Sequence, residues 1–557
     1  MIGTLRGWIR PTLPGLTGAL VFALVSLTPS LLPRPALFQG LVTGVTAAIG
    51  YGLGVALAWI WRAFADRGPR EPRPRHWHVL LGVGAVALLV ADFLSVRQQD
   101  RVRSLMGLGD ASTWRLLTVP LMGVAIFLLL LMIARGLRRA ARALSAFLGR
   151  RIGPQAARAV GWLTVGALTF FTLSGLVYDN AIRAIDASFA LGDQQVSTTL
   201  EPPGELRSGS DESLLAWEEL GRQGRRFVAR GPSGDDIATF TGRDALDPIR
   251  IYAGTAHAED VEERARLAVE DLQRAGGFDR EYLLIAGTTG SGFIEPSASE
   301  SFEYLTGGDS AIISMQYSHL PSWISFLVDQ RAARDAGRAL FDAVYQEWSA
   351  LPADRRPRVY VFGESLGSFA LETAFSGEAD LRNRTSGGLF VGAPGFNDLF
   401  TEFRERRDAG SREIEPVYRG GRTVRFTNDP WQATPPADQP WDGPHLLYLV
   451  QPSDPITWWS PDLIWNEPDW LDEPRGADVA SAMRWYPIVT FWQTSADMAV
   501  AMAVPSGHGH DFVGQHVAGW AEVLQPDGWT SDDLRRLQAQ ILEAAAGDAG
   551  VPPSLRE

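Results

Sequence analysis

A serine flanked by glycines, in the order Gly-x-Ser-x-Gly, occupies residues 363–367 between a short apolar run at 359–362 and a helical pattern that ends at Gly377. The two glycines are needed because strand and helix backbones pass too closely there for a Cβ, and the central serine is held strained at the apex. The five-residue pattern also arises by chance, so a tight turn with an incidental serine is the alternative. Its position between strand and helix favours a reactive Ser365 above the carboxyl ends of a sheet.

The chain from residue 249 onwards alternates short apolar runs with amphipathic helical patterns. This alternation is typical of a mostly parallel sheet covered by helices. We predict strands at 249–252, 282–286, 311–315, 359–362, 388–391, 423–426 and 446–450. We predict helices at 262–274, 323–348, 512–524 and 532–545.

The first 180 residues differ from the rest because they are apolar and arginine-rich. Five segments are long enough to cross a bilayer, which needs about 20 apolar residues each. They are 13–32, 37–61, 77–94, 116–133 and 159–177. Asp92 is the one acidic residue within them, and it is either a functional carboxylate or a solvated or paired residue near the interface. No repeated polar pattern of the kind expected of a transporter is present.

Arginines are distributed unequally between the loops that join these segments. Fourteen fall on one side: Arg6, Arg10, Arg62, Arg67, Arg70, Arg73, Arg75, Arg135, Arg138, Arg139, Arg142, Arg150, Arg151 and Arg158. Five fall on the other: Arg34, Arg97, Arg101, Arg103 and Arg115. The positive-inside rule therefore predicts a cytoplasmic N-terminus. Five crossings then place the chain after Val177 outside the cytoplasm, so we expect a multi-pass protein of the cell membrane.

Composition excludes several classes of function. The net charge of −13 argues against a nucleic-acid partner, and the absence of cysteine excludes disulfides, thiol catalysis and cysteine metal sites. We predict a transmembrane domain at 1–180 with about five helices, a juxtamembrane linker at 181–245, a catalytic domain at 246–548 and a C-terminal tail at 549–557.

A serine nucleophile needs a histidine base, and four histidines follow Ser365. His445 opens a predicted strand ahead of the best acid, and His516 lies inside a predicted helix. His508 and His510 share a loop directly before that helix, where a catalytic histidine belongs. The proline-glycine turn before His508 slightly favours that residue. A metal site built on the pair is a weaker alternative because no third ligand matches.

The acid of such a triad lies between the serine and the histidine in chain order. Asp454 comes four residues after a predicted strand and is stiffened by the following proline. Asp429, which follows an earlier strand, is the main competitor, and Asp398 is a more distant one.

The loop after the 282–286 strand is rich in glycine but lacks the lysine of a phosphate-binding loop. It is either an ordinary strand-to-helix turn or one half of an oxyanion hole. In the second case Thr288 or Thr289 supplies one backbone N–H, and Leu366, which follows the serine, supplies the other.

Eight of the 19 tryptophans lie between residues 431 and 492. They form either part of the core and its rim, or an apolar substrate pocket and membrane-facing cap. Trp458 and Trp459, beside the predicted acid, are the candidates for the pocket.

The chain resembles the bacterial, actinobacterial-type membrane-anchored α/β-hydrolases, in which an N-terminal multi-helix transmembrane region precedes the hydrolase domain. The motifs that carry the resemblance lie at 304–309, 316–323, 361–368, 453–455, 458–462 and 505–510. The resemblance implies an α-helical transmembrane bundle followed by an α/β-hydrolase domain. It also implies a triad of Ser365, Asp454 and one of the paired histidines.

We therefore expect a serine hydrolase, an esterase or lipase-like enzyme that acts on small-molecule or lipid esters at the bilayer, without a metal or another cofactor. An acyltransferase with the same acyl-enzyme is the alternative within enzymes. A non-catalytic receptor on a hydrolase fold is less favoured because both the serine and the histidine are present.

Overall fold

The structure is a computed structural model that describes residues 11–68, 72–171, 193, 200–320, 324–325, 330–432 and 434–547. The predicted tail at 549–557, the end of the fifth predicted span (172–177) and most of the linker up to residue 199 lie outside the described residues. The chain divides into two compact units. One contains Met1–Ala184 together with Pro461–Leu471 and Ala477–Val500, and the other contains the remainder.

The described part of the first unit, here the helical unit, is built on five N-terminal helices. They are α1 (Leu13–Ser26), α2 (Ala36–Phe64), α3 (Pro74–Leu105), α4 (Arg115–Leu148) and α5 (Pro154–Phe171). The three helices α2, α3 and α4 are long and apolar enough to cross a membrane. Helix α1 has only 14 residues, because the chain leaves the helix at Leu27, ahead of Pro29 and Pro33, so the predicted first span is shorter than a bilayer requires.

Glycines allow the backbones of the helical unit to touch. A Cβ on Gly18 would lie 2.1 Å from the Gly50 carbonyl oxygen, and one on Gly54 would lie 2.2 Å from the Pro14 carbonyl oxygen. A second pair on α2, Gly40 and Gly44, faces α4 at similarly short range. Two small-xxx-small patterns on α2 therefore make it the helix against which α1 and α4 pack.

The second unit, here the sheet unit, contains seven parallel strands in the order β1-β3-β2-β4-β5-β7-β6. The strands are β1 (Ile249–Ala253), β2 (Tyr282–Gly287), β3 (Ser310–Met315), β4 (Arg358–Glu364), β5 (Gly387–Val391), β6 (Val424–Thr427) and β7 (His445–Leu449). The strand residues are buried, except for the first residue of each of β2, β4 and β7. Burial of this extent is expected of parallel strands covered on both faces.

The sheet is accompanied by helices in the same unit. They are α6 (Gly221–Ala229), α7 (Gly234–Thr241), α8 (Val261–Arg274), α9 (Pro296–Leu305), α10 (Gln330–Ala350), α11 (Leu366–Glu372), α12 (Glu378–Arg384), α13 (Asp398–Glu405), α14 (Pro455–Trp458), α17 (His516–Leu524) and α18 (Ser531–Gly547). Short 3₁₀ turns occur at Trp217–Glu219, Gly277–Asp279, Ala353–Arg355 and Arg419–Gly421. The predicted helical region followed by a mostly parallel sheet covered by helices is confirmed.

Residues 461–500, here the excursion, lie between β7 and α17 in the sequence and are largely separate from the sheet unit. They contain a 3₁₀ turn at Pro461–Ile464, the short helix α15 (Asp469–Asp472) and the helix α16 (Val489–Met498). Except for residues 472–476, this excursion belongs to the helical unit. Nothing in the amino-acid pattern of residues 461–500 predicts that grouping.

Candidate active site

Ser365 lies at the sharp turn between β4 and α11. Its backbone has φ 53° and ψ −125°, a region that residues other than glycine rarely adopt. Its N–H donates to the carbonyl oxygen of Val391 over 2.9 Å, so the strained turn is fastened to the end of β5. Backbone strain of this kind costs of order 1–3 kcal/mol and is concentrated at functional sites.

The two glycines of the motif are required by close backbone contacts. A Cβ on Gly363 would lie 2.4 Å from the backbone nitrogen of Ser368, within the start of α11. A Cβ on Gly367 would lie 2.3 Å from the carbonyl oxygen of Gly287, at the end of β2. The start of α11 therefore touches the end of β2, and this contact brings the residues after Gly287 to the serine.

Two backbone N–H groups at this contact have no hydrogen-bond acceptor among the described residues, those of Thr288 and Leu366. The hydroxyl of Thr288 is held by the carbonyl oxygen of Met315 at 2.9 Å, which fixes the orientation of that residue. Thr289 differs because its N–H already donates to the carbonyl oxygen of Phe293 at 3.0 Å. The geometry therefore favours Thr288 over Thr289 as the partner of Leu366 in an oxyanion hole.

Asp454 and His510 are hydrogen-bonded to each other. Nδ1 of His510 lies 2.7 Å from Oδ2 of Asp454, and the aspartate is fully buried. Oδ1 of Asp454 accepts from the Ile456 N–H at 2.8 Å, at the start of α14, and Oδ2 also accepts from the Thr457 hydroxyl at 3.1 Å. This arrangement holds the proton on Nδ1 of His510 and leaves Nε2 as the basic nitrogen.

The loop that carries His510 is fixed from several directions. The His510 N–H donates to the carbonyl oxygen of Ala501 at 2.9 Å, and the Gly509 N–H donates to the Ser453 hydroxyl at 2.8 Å. The imidazole lies against Gly392, where a Cβ would be 2.5 Å from Cε1. Since Gly392 directly follows Val391, Ser365 and His510 both contact the same end of β5.

The competing residues are placed elsewhere. His508 is half-buried, and its N–H donates to the Pro505 carbonyl oxygen. The described contact with Asp454 is made by His510, so it does not support the slight preference for His508. Asp429 bonds the Trp431 N–H at 3.1 Å and the Gln432 side chain at 2.7 Å. Asp398 is exposed at the start of α13. Neither has a described contact with a histidine.

Comparison with known protein families gives two matches that together span most of the chain. Residues 249–537 match the model of an α/β-hydrolase family, and residues 27–232 match the model of that family's N-terminus. The chain belongs to this α/β-hydrolase family. The resemblance seen in the sequence motifs is confirmed at the level of the family. Comparison with curated proteins and with solved structures gives no significant match.

The two tryptophans proposed for the pocket of this α/β-hydrolase differ in burial. Trp458 is 2% exposed, and its indole N–H donates to the Gln451 carbonyl oxygen at 3.1 Å. It therefore packs in the core and supports the loop that carries Asp454. Trp459 is half-buried, so part of its surface remains accessible.

A second buried hydrogen-bonded network, which the sequence did not predict, begins at the residue before the serine. Nε2 of His516 lies 3.1 Å from a carboxylate oxygen of Glu364, and Nδ1 lies 2.9 Å from the Ser297 hydroxyl. The same hydroxyl lies 3.0 Å from Glu295. Burial, together with the charge of Glu364, raises the pKa of Glu295 to about 7. Burial alone would lower the pKa of His516, but the hydrogen bond to Glu364 and the surrounding carboxylates raise it.

Proposed function

We propose that this α/β-hydrolase is a membrane-anchored serine esterase, lipase-like in its substrates, that cleaves lipid or other acyl esters through an acyl-enzyme. The observation that carries the proposal is the 2.7 Å bond between Asp454 and His510, whose ring contacts the same strand end as the strained Ser365. A serine, a histidine and a buried carboxylate on one sheet edge are the groups that acyl transfer needs.

In the proposed reaction the Ser365 hydroxyl oxygen attacks the ester carbonyl carbon while Nε2 of His510 takes the hydroxyl proton. Asp454 stabilises the imidazolium that forms. The negative oxygen of the tetrahedral intermediate accepts hydrogen bonds from the N–H groups of Thr288 and Leu366. The carbon–oxygen bond to the alcohol then breaks, and His510 returns the proton to the leaving oxygen. Water repeats the sequence on the acyl-serine and releases the carboxylic acid.

Two observations support a catalytic domain on the extracytoplasmic side of the membrane. The loop regions at 62–75 and 135–158 hold 12 arginines, whereas the loop regions around residue 34 and at 97–115 hold five. Within the helical unit, helix α16 of the hydrolase sequence contacts residues 30 and 31 in the loop between α1 and α2, which belongs to the arginine-poor side. The proposed substrates are therefore esters at the outer surface of the membrane.

The test uses the full-length protein in detergent with a fluorophosphonate probe and short p-nitrophenyl esters. The wild type should be labelled and should hydrolyse the esters, and Ser365→Ala should lose both activities by several orders of magnitude. Ser368→Ala is the matched control, because Ser368 is fully buried and its hydroxyl donates to the Ser365 carbonyl oxygen at 2.7 Å. Equal labelling of wild type and Ser365→Ala would refute the proposal.

A further inference from the structure

Two buried arginines contact each other in the helical unit. Arg34, in the loop between α1 and α2, is 2% exposed, and Arg115, the first residue of α4, is 7% exposed. The Arg115 guanidinium donates to the Arg34 carbonyl oxygen. Both arginines belong to the helical unit, and so do the described residues to which they are hydrogen-bonded or ion-paired. We call Arg34 and Arg115 the arginine pair.

Within the described residues, one arginine of the pair has a carboxylate partner and the other has none. Oδ1 of Asp497, on α16, lies 3.0 Å from Nε of Arg34, and both side chains are fully buried. Asp92, on α3, is also buried, but it forms no ion pair with either arginine in the part of the chain that the structure describes. Burial of a guanidinium without a carboxylate partner is costly, so a further anion beside Arg115 would be stabilising.

Four guanidinium nitrogens of the arginine pair are buried and meet no hydrogen-bond acceptor among the described residues. They are Nη1 and Nη2 of Arg34, and Nε and Nη2 of Arg115. Buried donors of this kind are hydrogen-bonded in the great majority of proteins. A guanidinium presents its donors in a planar fork that matches the oxygens of a phosphate or a carboxylate. The arginine pair therefore indicates a site for an anionic group with several oxygens.

An apolar groove of about 590 Å³ lies between α1 and α3 of the same unit. It is lined by Leu24 of α1 and by α3 residues from Gly82 to Leu94. Several of its lining side chains are exposed, among them Val83 and Val90, so the groove opens to the surface of the helical unit. Helix α3 is one of the three helices long and apolar enough to cross a membrane, so this surface is suited to contact with lipid.

Both walls of the groove lead to the arginine pair. On α3 the row of every fourth residue that lines the groove, ending in Ala87 and Ala91, continues into the buried Ser95 and Gln99. The α1 wall continues into the loop that carries Arg34, whose N–H donates to the side-chain oxygen of Gln99 at 3.1 Å. This contact lies about 12 Å beyond Ala91 along the axis of α3, at 1.5 Å per residue.

We propose that the helical unit binds an anionic phospholipid, whose phosphate group accepts hydrogen bonds from the arginine pair and whose acyl chain lies in the apolar groove. The α3 wall of the groove, from Gly82 to Leu94, is about 18 Å long, which matches the depth of about 15 Å of one leaflet of a bilayer. A free phosphate ion would use the same donors but would leave the groove without a role. This inference goes beyond the proposed ester hydrolysis and does not depend on it.

The test measures binding to the full-length protein, delipidated in detergent, by native mass spectrometry. Dioleoyl phosphatidylglycerol should bind. Diolein, which has the same acyl chains but no phosphate, should bind at least about 10-fold more weakly, because it offers no charged acceptor to the arginines. Inorganic phosphate should also bind at least about 10-fold more weakly, because it buries no apolar surface. The two comparisons separate the contribution of the phosphate from that of the acyl chains.

Two variants divide the site into its two parts. Arg115→Gln should weaken the binding of phosphatidylglycerol about 10- to 100-fold, the contribution expected of a hydrogen bond to a charged group. Arg115 is chosen because, unlike Arg34, it leaves no buried carboxylate without its ion pair. Ala91→Phe should weaken binding about 10-fold by filling the groove while the arginine pair stays intact. Arg101→Gln, exposed on α3, is the matched control and should bind within about 3-fold of wild type.

Unchanged binding of phosphatidylglycerol in Arg115→Gln would overturn the proposal, and if that variant does not fold, unchanged binding in Ala91→Phe would do so. Inorganic phosphate that binds as tightly as the lipid would overturn it in favour of a site for a free ion. Asp92→Asn should bind the lipid at least as tightly as wild type, because it removes a buried carboxylate from α3. Lipid binding seen only in Asp92→Asn would identify Asp92 as the counter-charge of the arginine pair and would refute the lipid site.

Discussion

Replacement of Asp454 by asparagine should lower kcat strongly while changing the stability of the fold much less. The carboxylate has two distinct oxygens: Oδ1 accepts from the Ile456 N–H at 2.8 Å, and Oδ2 accepts from His510 at 2.7 Å. An asparagine keeps its oxygen toward the Ile456 N–H, because the alternative would oppose two donors. Its amide N–H₂ then faces Nδ1 of His510, and the imidazole proton must move to Nε2. In that tautomer His510 cannot accept the proton of Ser365.

The expected loss for such a tautomer inversion is about 10⁴-fold in kcat, equivalent to about 5 kcal/mol of transition-state stabilisation. The cost to folding is smaller, about 1–2 kcal/mol, because the helix-capping bond to Ile456 survives. Ester hydrolysis at several pH values measures the first quantity, and the thermal melting temperature in detergent measures the second.

Asp429→Asn is the matched control for this prediction. Asp429 also follows a strand and also bonds a backbone N–H, that of Trp431, but it has no described contact with His510. Its kcat should stay within about 2-fold of wild type. A loss below 10-fold in Asp454→Asn, or a larger loss in Asp429→Asn, would refute the assignment of the acid.

Three further predictions test other parts of the structure. Gly367→Ala should abolish activity and lower the melting temperature, because its Cβ would lie 2.3 Å from the Gly287 carbonyl oxygen, whereas Gly204→Ala, in open space, should match wild type in both assays. Burial raises the pKa of Glu372 from 4.5 to about 7, so the stability that its bound proton contributes is present below about pH 4.5 and is lost as the pH rises through 7. Relative to Glu372→Gln, the wild type should therefore lose roughly 3 kcal/mol of stability between pH 4.5 and pH 8, and parallel pH courses of the two melting temperatures would contradict this. A phosphatase fused after Glu557 should be active and a fluorescent protein that folds only in the cytoplasm should be dark; a bright fusion would reverse the proposed orientation.

The sheet could be predicted strand by strand because each buried parallel strand is a short continuous apolar run between turn residues. All seven predicted strands are present, with ends that differ by one or two residues. The long helix predicted at 323–348 is described from Gln330 to Ala350, and Trp323 lies outside the described residues. The predicted helix at 512–524 begins at His516, because the 505–515 loop uses its own backbone N–H groups to fasten the histidine.

The residues of the candidate site could be predicted from chain order and loop position, because both are local properties of the sequence. The choice between His508 and His510 could not be predicted, since it depends on which imidazole the buried Asp454 contacts. Gly392 lies directly after a predicted strand, and a glycine there leaves room for an imidazole ring. It was therefore a sequence feature that could have indicated where the histidine lies. The hydrogen bonds of His516 to Glu364 and Ser297 were not predicted, because a histidine inside a helical pattern does not indicate which residues it contacts.

The grouping of residues 461–500 with the N-terminal helices could not be predicted from the sequence for a different reason. It depends on a buried charge pair between residues far apart in the chain, and neither Arg34 nor Asp497 lies in a motif. The glycine spacing on α2 carried a readable signal of helix contact, in the form of Gly40 with Gly44 and Gly50 with Gly54. Asp92, the one acidic residue of the predicted spans, is buried, and one of its carboxylate oxygens has no hydrogen-bond partner among the described residues.

The contact between Ser30 and Asp497 spans 467 residues of sequence, which has a consequence for how the protein is made. Synthesis from the N-terminus completes the loop before α2 long before α16 exists, so the loop must wait for a partner that arrives near the end of translation. Contacts of such high sequence separation form late and slowly. A chain in which residues 461–500 failed to reach the first loop would keep Arg34 buried without its carboxylate. Completion of the helical unit therefore needs a segment of the hydrolase sequence as well as the N-terminal helices.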